Sequence, residues 1–187
     1  MPLEMAFHDL SARLQRLLDT FLGVRLTVVE DKPLRDEVAL VDRFGDAVED
    51  LVGWTREALA QGREAEQAVG HPLDTYRASK TLTNCQERFN RLAGQFSELI
   101  SYERMADLHR FGRRRGGEWL RWTGTVRQAL DDCRLPLQET NQALFMCWQE
   151  LSERAGTTSV SIHNTTVGQQ IAARDLADPG MVRDAVT

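Results

Sequence analysis

Residues 73–114 have the sequence LDTYRASKTLTNCQERFNRLAGQFSELISYERMADLHRFGRR, which carries the clearest fold signal in the chain. Apolar side chains recur in it at intervals of three and four residues, so they share one face of an α-helix. The period predicts one long amphipathic helix that stops at Gly116-Gly117. The apolar stripe consists of Tyr76, Leu82, Cys85, Phe89, Leu92, Phe96, Leu99, Ile100, Met105, Leu108 and Phe111.

Four further segments repeat this period on either side of the long stretch. Glycine weakens a helix interior, so Gly62 predicts either a close backbone contact or a bend in the second segment. The apolar stripes have to be buried against one another. The sequence therefore predicts an all-α fold, a multi-helix bundle with long antiparallel helices. The four segments are Ala6–Leu22, Leu34 toward Gly70, Glu118–Cys133 and Leu137–Ala155.

Two short segments have the composition of β-strands instead. VRLTVVE, at Val24–Glu30, is rich in β-branched residues and predicts extended chain or a short strand. Val160 and Ile162 alternate with polar residues in a second strand pattern. An isolated strand is not stable in water, so the second pattern should pair with the first or with another chain. We therefore expect a helical domain at residues 1–156 and a strand-like, polar C-terminal tail at residues 157–187.

The overall charge excludes broad attraction to polyanions. The formal net charge is -5 at pH 7, which gives no general attraction to nucleic acid or to an anionic membrane surface. No apolar run approaches the roughly 20 residues that cross a bilayer, and the N-terminal residues do not resemble a signal peptide. These features predict a cytoplasmic protein without membrane association.

The cysteines and histidines do not form a ligand pattern. Cys85, Cys133 and Cys147 are separated by 48 and 14 positions, which fits neither a disulfide framework nor a zinc site. Each lies within a helical pattern, where a thiol acts as a small buried apolar group. The four histidines are scattered along the chain. We therefore expect no metal and no cofactor.

One short motif has a catalytic interpretation. Arg104 and His109, separated by four residues, resemble the R-x4-6-H signature of the HEPN ribonucleases, which are also helical bundles. The resemblance implies that the arginine holds the scissile phosphate and that the histidine transfers protons or orients the phosphate. However, Met105 stands where that family usually has a polar residue. A spacing of five also places the two side chains on different sides of an undistorted helix. A HEPN-like protein that binds or cleaves RNA is therefore the alternative hypothesis.

An arginine-rich segment follows this motif. Arg113, Arg114 and Arg115 precede Trp119 and Trp122, and such a set could bind phosphates and stack on bases. Tryptophans three positions apart more often mark a buried face, and arginines at a helix C-terminus are favoured by the macrodipole. Nucleic acid is therefore the less favoured partner for this chain.

The last helix is apolar around much of its circumference. Leu144, Trp148 and Leu151 belong to this wide face, so the helix should be central in the bundle or should contact a partner. We predict contact with a protein partner or a second copy of the chain through these residues together with Val160 and Ile162. A non-enzymatic helical interaction or oligomerisation module is accordingly the leading hypothesis.

Four strings together carry a resemblance to a group of proteins. They are YRASKTLTNCQERFNRL at residues 76–92, RGGEWLRW at 115–122, ALFMCWQELSERAG at 143–156 and SVSIHNTTVGQQI at 159–171. The set is similar to uncharacterised bacterial helical proteins that look like accessory or effector-associated components of conflict (defence) and signalling systems. The resemblance implies an accessory component of a bacterial multi-protein system, and no catalytic residue comes with it.

Overall fold

A computed structural model describes residues 2–33, 39–69 and 75–155, and these ranges are helical almost throughout. The predicted all-α bundle is confirmed. The tail at residues 157–187, with its predicted strand, lies outside the described residues. The described elements are α1 (Leu3–Arg25), a π-helical segment that continues α1 (Leu26–Glu30), α2 (Ala39–Val69), α3 (Thr75–Leu99), α4 (Tyr102–Arg115), α5 (Gly117–Asp131) and α6 (Arg134–Ala155).

Helices α1, α2, α3 and α6 form an antiparallel four-helix bundle. Helix α2 packs between α1 and α3, and α6 closes the ring against both of them. His8 Nδ1 lies 2.8 Å from Glu66 Oε1, and Arg25 Nε lies 2.5 Å from Glu49 Oε1, so the chain direction reverses between α1 and α2. Other pairs show the same reversal for α2 with α3 and for α1 with α6, namely Arg88 with Glu57, Arg91 with Trp54, Arg13 with Glu139 and Arg154 with Glu4.

One hydrophobic core runs through the bundle and extends into α4 and α5. Phe21 of α1 meets Phe96 of α3 within this core, with ring centroids 6.0 Å apart. Each fully buried phenylalanine or leucine contributes about 1.5–3 kcal/mol to the free energy of unfolding. Within the described ranges, none of the helices has both the length and the apolar content needed to cross a membrane.

The predicted strand at Val24–Glu30 is wrong, because this segment continues α1 and then forms the π-helical turn. Val24 and Val28 are both buried and are spaced four residues apart, as helical neighbours on the bundle side. The Asp31 N–H donates to the Leu26 carbonyl over 2.9 Å, the i+5 bond of a π-helix. Burial of the valines in the bundle outweighs their preference for strands, which depends strongly on context.

The single long helix predicted for residues 73–114 is also wrong, because the chain breaks at Ile100-Ser101. Ser101 has an extended ψ of 152° and caps α4, accepting the Arg104 N–H on its Oγ over 3.5 Å. A serine at this position competes with helix continuation by satisfying a free N–H of the new helix. The predicted stop is confirmed: Gly116 and Gly117 have φ values of +67° and +50°, a left-handed region that glycine tolerates.

Two smaller expectations also changed. Helix α2 continues without a break past Gly62, and a Cβ added there would lie 2.9 Å from Leu14 Cδ1, so a side chain rather than a backbone makes the close approach. Helix α6 begins at Arg134 rather than Leu137. Its first turn includes Pro136, where a missing N–H has no intrahelical partner to lose.

Candidate interaction surface

Helices α4 and α5 form a hairpin, residues 102–131, that packs on one end of the bundle. The Trp122 Nε1–H donates to the Thr27 carbonyl over 2.9 Å, which attaches α5 to the π-helical segment. Carbonyls in the last turn of a helix have no intrahelical donor, and the indole satisfies one of them. Trp122 is buried. The hairpin is therefore held to the bundle by a specific polar contact as well as by apolar packing.

The two helices of the hairpin approach each other closely at Gly112. A Cβ added to Gly112 would clash with Thr123 Oγ1 and would lie 3.0 Å from Thr123 Cγ2. The Thr123 hydroxyl donates to the Leu120 carbonyl over 3.0 Å, which limits its freedom to move aside. Only glycine therefore permits this separation between α4 and α5.

Aromatic rings line the hairpin next to this contact. Trp119 lies edge-to-face with Phe111 at a centroid distance of 5.1 Å and with Trp122 at 5.5 Å. The Arg115 guanidinium covers the outer side of the group, with its Cζ 5.5 Å from the Phe111 centroid and 5.8 Å from the Trp119 centroid. Phe111 and Trp119 remain half-buried. The rings and the guanidinium thus form one partly exposed apolar and cationic surface.

This surface is strongly basic on an otherwise acidic chain. The hairpin has a formal net charge of +3, whereas the rest of the chain has -8. Residues 109–121 contain five arginines and a single glutamate. We call these arginines, all of them exposed, the arginine surface; they are Arg110, Arg113, Arg114, Arg115 and Arg121.

The arginines differ in how far they are already engaged. Arg110 pairs with Asp107 over 2.5 Å, and Arg115 covers the aromatic rings. Arg113 and Arg114 make no ion pair with any residue in the described ranges. Their guanidinium groups therefore present donors to solvent that an anionic partner can accept.

A small acidic cleft lies where α2, α3 and α4 meet. It has a volume of about 210 Å³, and its lining includes three carboxylates, Asp46, Asp50 and Glu98, and two arginines, Arg43 and Arg104, which gives a formal charge of -1. Arg104 reaches into it and pairs with Glu98, Nη2 to Oε1, over 3.2 Å. We call this site the acidic cleft. Sequence reasoning missed it, although two aspartates four positions apart on an exposed helical face were a visible signal.

The side chains of the two residues of the R-x4-H motif, Arg104 and His109, lie in different surroundings. Arg104 is in the acidic cleft, whereas His109 is exposed on α4. Five positions along a helix turn the side chain by about 140° relative to the first residue. An acidic lining disfavours a phosphate at Arg104 by charge repulsion. The nuclease hypothesis stays a prediction. In the described residues, Arg104 and His109 do not converge on one site.

The predicted contact residues of the last helix lie mainly in this chain's own core. Leu144 and Leu151 are buried in the bundle, so the central position accounts for the wide apolar face of α6. Trp148 is half-buried and donates its Nε1–H to Gln86 Oε1 over 3.3 Å. Val160 and Ile162 lie outside the described residues. Contact of a partner with α6 and the tail therefore stays a prediction.

The three thiols are buried, as the helical pattern predicts. Burial raises the pKa of Cys85 to about 12, and the Cys85 thiol donates to the Ala58 carbonyl over 3.3 Å. Burial likewise raises the pKa of Cys133 to about 12 and that of Cys147 well above its ordinary range. The reactive thiolate is therefore scarce at neutral pH.

Within the described ranges, no three histidine, cysteine or acidic side chains are grouped so that they could hold a metal ion.

Comparison with known proteins found no matching family model, no matching curated protein and no matching solved structure.

Proposed function

We propose that this chain is a non-enzymatic interaction module in which the four-helix bundle holds the α4–α5 hairpin toward a protein partner. The observation that carries the proposal is the pair Arg113 and Arg114, exposed and without an ion pair in the described ranges, two and three positions after Phe111, which forms the ring group with Trp119. Arginine and tryptophan are enriched among the residues that dominate binding energy at protein interfaces.

The attachment of the hairpin supports the same proposal. The Trp122–Thr27 hydrogen bond and the close approach at Gly112 hold the surface in one arrangement before a partner arrives. A preorganised surface loses less conformational entropy on binding than a flexible one. The resemblance to components of bacterial defence and signalling systems suggests that the partner belongs to such a multi-protein assembly.

The experiment compares capture of partners by the full chain and by two variants. Arg113→Glu with Arg114→Glu reverses the two available charges. Arg56→Glu with Lys80→Glu changes the net charge equally, and both of these side chains are exposed, lie outside the hairpin and make no ion pair in the described ranges. We expect quantitative mass spectrometry to find a partner with wild type and with the Arg56/Lys80 variant, and to lose it with the Arg113/Arg114 variant. Retention by the Arg113/Arg114 variant, with an unchanged melting temperature, overturns the proposal.

A further inference from the structure

We propose that the arginine surface binds a second copy of this chain, whose acidic cleft receives Arg113 and Arg114 in a head-to-tail contact. The inference rests on the proposed function and adds the identity of the partner. The charge distribution favours this occupant. The hairpin of one copy has a formal charge of +3, and the rest of any other copy has a formal charge of -8, so the two attract each other. A nucleic acid bound at the hairpin would instead be repelled by that acidic remainder.

The acidic cleft provides two carboxylates for such a contact. Asp46 and Asp50 are exposed on α2 and make no ion pair with any residue in the described ranges. They lie four positions apart, so they are neighbours on one helical face and repel each other. Two guanidinium groups from outside the chain would relieve this repulsion and could bind each carboxylate through paired hydrogen bonds.

The two arginines of the cleft do not pair with these two aspartates. Arg104 pairs with Glu98 over 3.2 Å, and the Arg43 Nε–H donates to the Ala39 carbonyl over 3.2 Å. Neither arginine makes an ion pair with Asp46 or Asp50. Arg43 keeps its charge, so the five charged side chains of the lining sum to -1, and the two aspartates remain without an ion pair in the described ranges.

The geometry of α4 determines the symmetry of the contact. Arg104 lies in the cleft, and Arg113 follows nine residues later, about 14 Å along the helix and about half a turn around it. The two binding surfaces are therefore distinct, separated by about 14 Å along α4. A head-to-tail contact between two different surfaces is heterologous and builds open chains or rings.

The test measures the mass of the purified full chain by sedimentation and light scattering over a wide concentration range. We expect wild type to form a series of oligomers that grows with concentration and shrinks as salt is added. Arg113→Glu with Arg114→Glu should abolish the series, and so should Asp46→Arg with Asp50→Arg. The Arg56/Lys80 variant should assemble like wild type.

Mixing the variants makes the test specific. The Arg113/Arg114 variant and the Asp46/Asp50 variant should assemble with each other, because each supplies the charge that the other has lost. The Arg113/Arg114 variant should also shorten wild-type oligomers, since it can accept an arginine surface but cannot offer one. A monomeric wild type, oligomers that survive either charge reversal, or variants that do not assemble when mixed each overturn the inference.

Two further outcomes separate this inference from the proposed function. If wild type is monomeric but still captures a different protein through Arg113 and Arg114, only the second-copy inference fails. If neither self-assembly nor capture depends on these arginines, the proposed function and the second-copy inference both fail.

A single-stranded RNA oligonucleotide serves as the competing ligand. RNA binding that requires Arg113 and Arg114, in a chain that stays monomeric, identifies nucleic acid as the occupant and overturns the inference.

Discussion

The Trp122 indole donates a 2.9 Å hydrogen bond to the main-chain carbonyl of Thr27, a residue 95 positions earlier in the chain. The bond joins the α4–α5 hairpin to the π-helical end of α1, so the position of the arginine surface depends on it. The carbonyl is the kind of group that a helix end leaves without a partner. The same hydrogen bond thus satisfies a carbonyl at the end of the π-helical segment and fixes the position of α5.

Trp122→Phe tests this attachment. The substitution keeps an aromatic ring in the core but leaves the Thr27 carbonyl without its donor. We expect the free energy of unfolding to fall by about 1–3 kcal/mol, the usual cost of an unsatisfied buried polar group. The measurement is urea unfolding followed by circular dichroism. Trp54→Phe is the control, because it also removes an indole but at a half-buried position under Arg91. Equal losses for both variants would argue against the hydrogen bond as the cause.

Gly112→Ala should separate the two helices of the hairpin. The added methyl group meets Thr123, so we expect a loss of about 1–3 kcal/mol, as for other overpacked sites. Gly124→Ala is the matched control, because nothing lies within 4 Å of its added Cβ. That variant should gain stability by up to about 1 kcal/mol, since alanine favours a helix. Thermal unfolding of both variants checks the prediction, and a stabilised Gly112→Ala would contradict it.

The buried thiols predict a loss of stability in alkaline solution. The pKa of Cys85 rises from 9.0 to about 12 in the folded chain, so folding favours the protonated form. This contribution is fully present below pH 9 and is lost as the pH rises toward about 12. We expect slow alkylation of the thiols at pH 8 in the native chain and fast alkylation in urea. Cys85→Ala should show a weaker fall of unfolding free energy between pH 9 and 11; an identical fall would exclude Cys85 as a source.

Trp148→Ala separates a core role for this residue from an interface role. A fully buried tryptophan costs roughly 3–5 kcal/mol on truncation, and the half-buried Trp148 should cost about 2–4 kcal/mol because Gln86 also loses its donor. Urea unfolding of the monomer measures the loss, with Trp148→Phe as the milder comparison. If monomer stability is unchanged while self-association disappears, Trp148 belongs to an interface, as the sequence-based hypothesis has it.

Arg104→Ala with His109→Ala tests the nuclease alternative. The Arg104–Glu98 pair is partly exposed, so its loss should change stability by less than about 1 kcal/mol. We expect wild type and the double variant to leave a labelled RNA equally intact on a denaturing gel. Cleavage by wild type that disappears in the folded double variant would support a HEPN-like activity and would reject the non-enzymatic proposal.

Much of the helical fold could be predicted from local patterns. The stripe Leu82, Cys85, Phe89 and Leu92 is buried in α3 as its spacing predicts, and Gly116-Gly117 ends α4 where expected. Periodicity and glycine conformation are properties of neighbouring residues, so the sequence reports them directly. The strand prediction at Val24–Glu30 was wrong because contacts with distant residues decide the conformation of this segment. Its β-branched residues describe a local preference, whereas Val28 is helical because distant helices bury it.

The candidate surface was only partly visible in the sequence. Arg113 and Arg114 stood out as a basic run, but their lack of ion pairs depends on which acidic side chains the fold brings near them. Asp46 and Asp50 received no role, because the cleft exists only where α2, α3 and α4 converge. For Arg104, the fold supplied Glu98 as its partner, six positions earlier across the break at Ser101.

The sequence by itself determined that this protein is helical, which residues form the apolar stripes and where the chain stops at Gly116-Gly117, since a period of 3.6 residues and a glycine pair are properties of neighbouring positions. Only the tertiary structure decided that α6 closes the bundle, that Trp122 reaches Thr27, and that the arginine surface and the acidic cleft lie apart. These features depend on contacts between residues far apart in the chain, and their energies come from burial and charge in three dimensions. Local pattern does not contain that information.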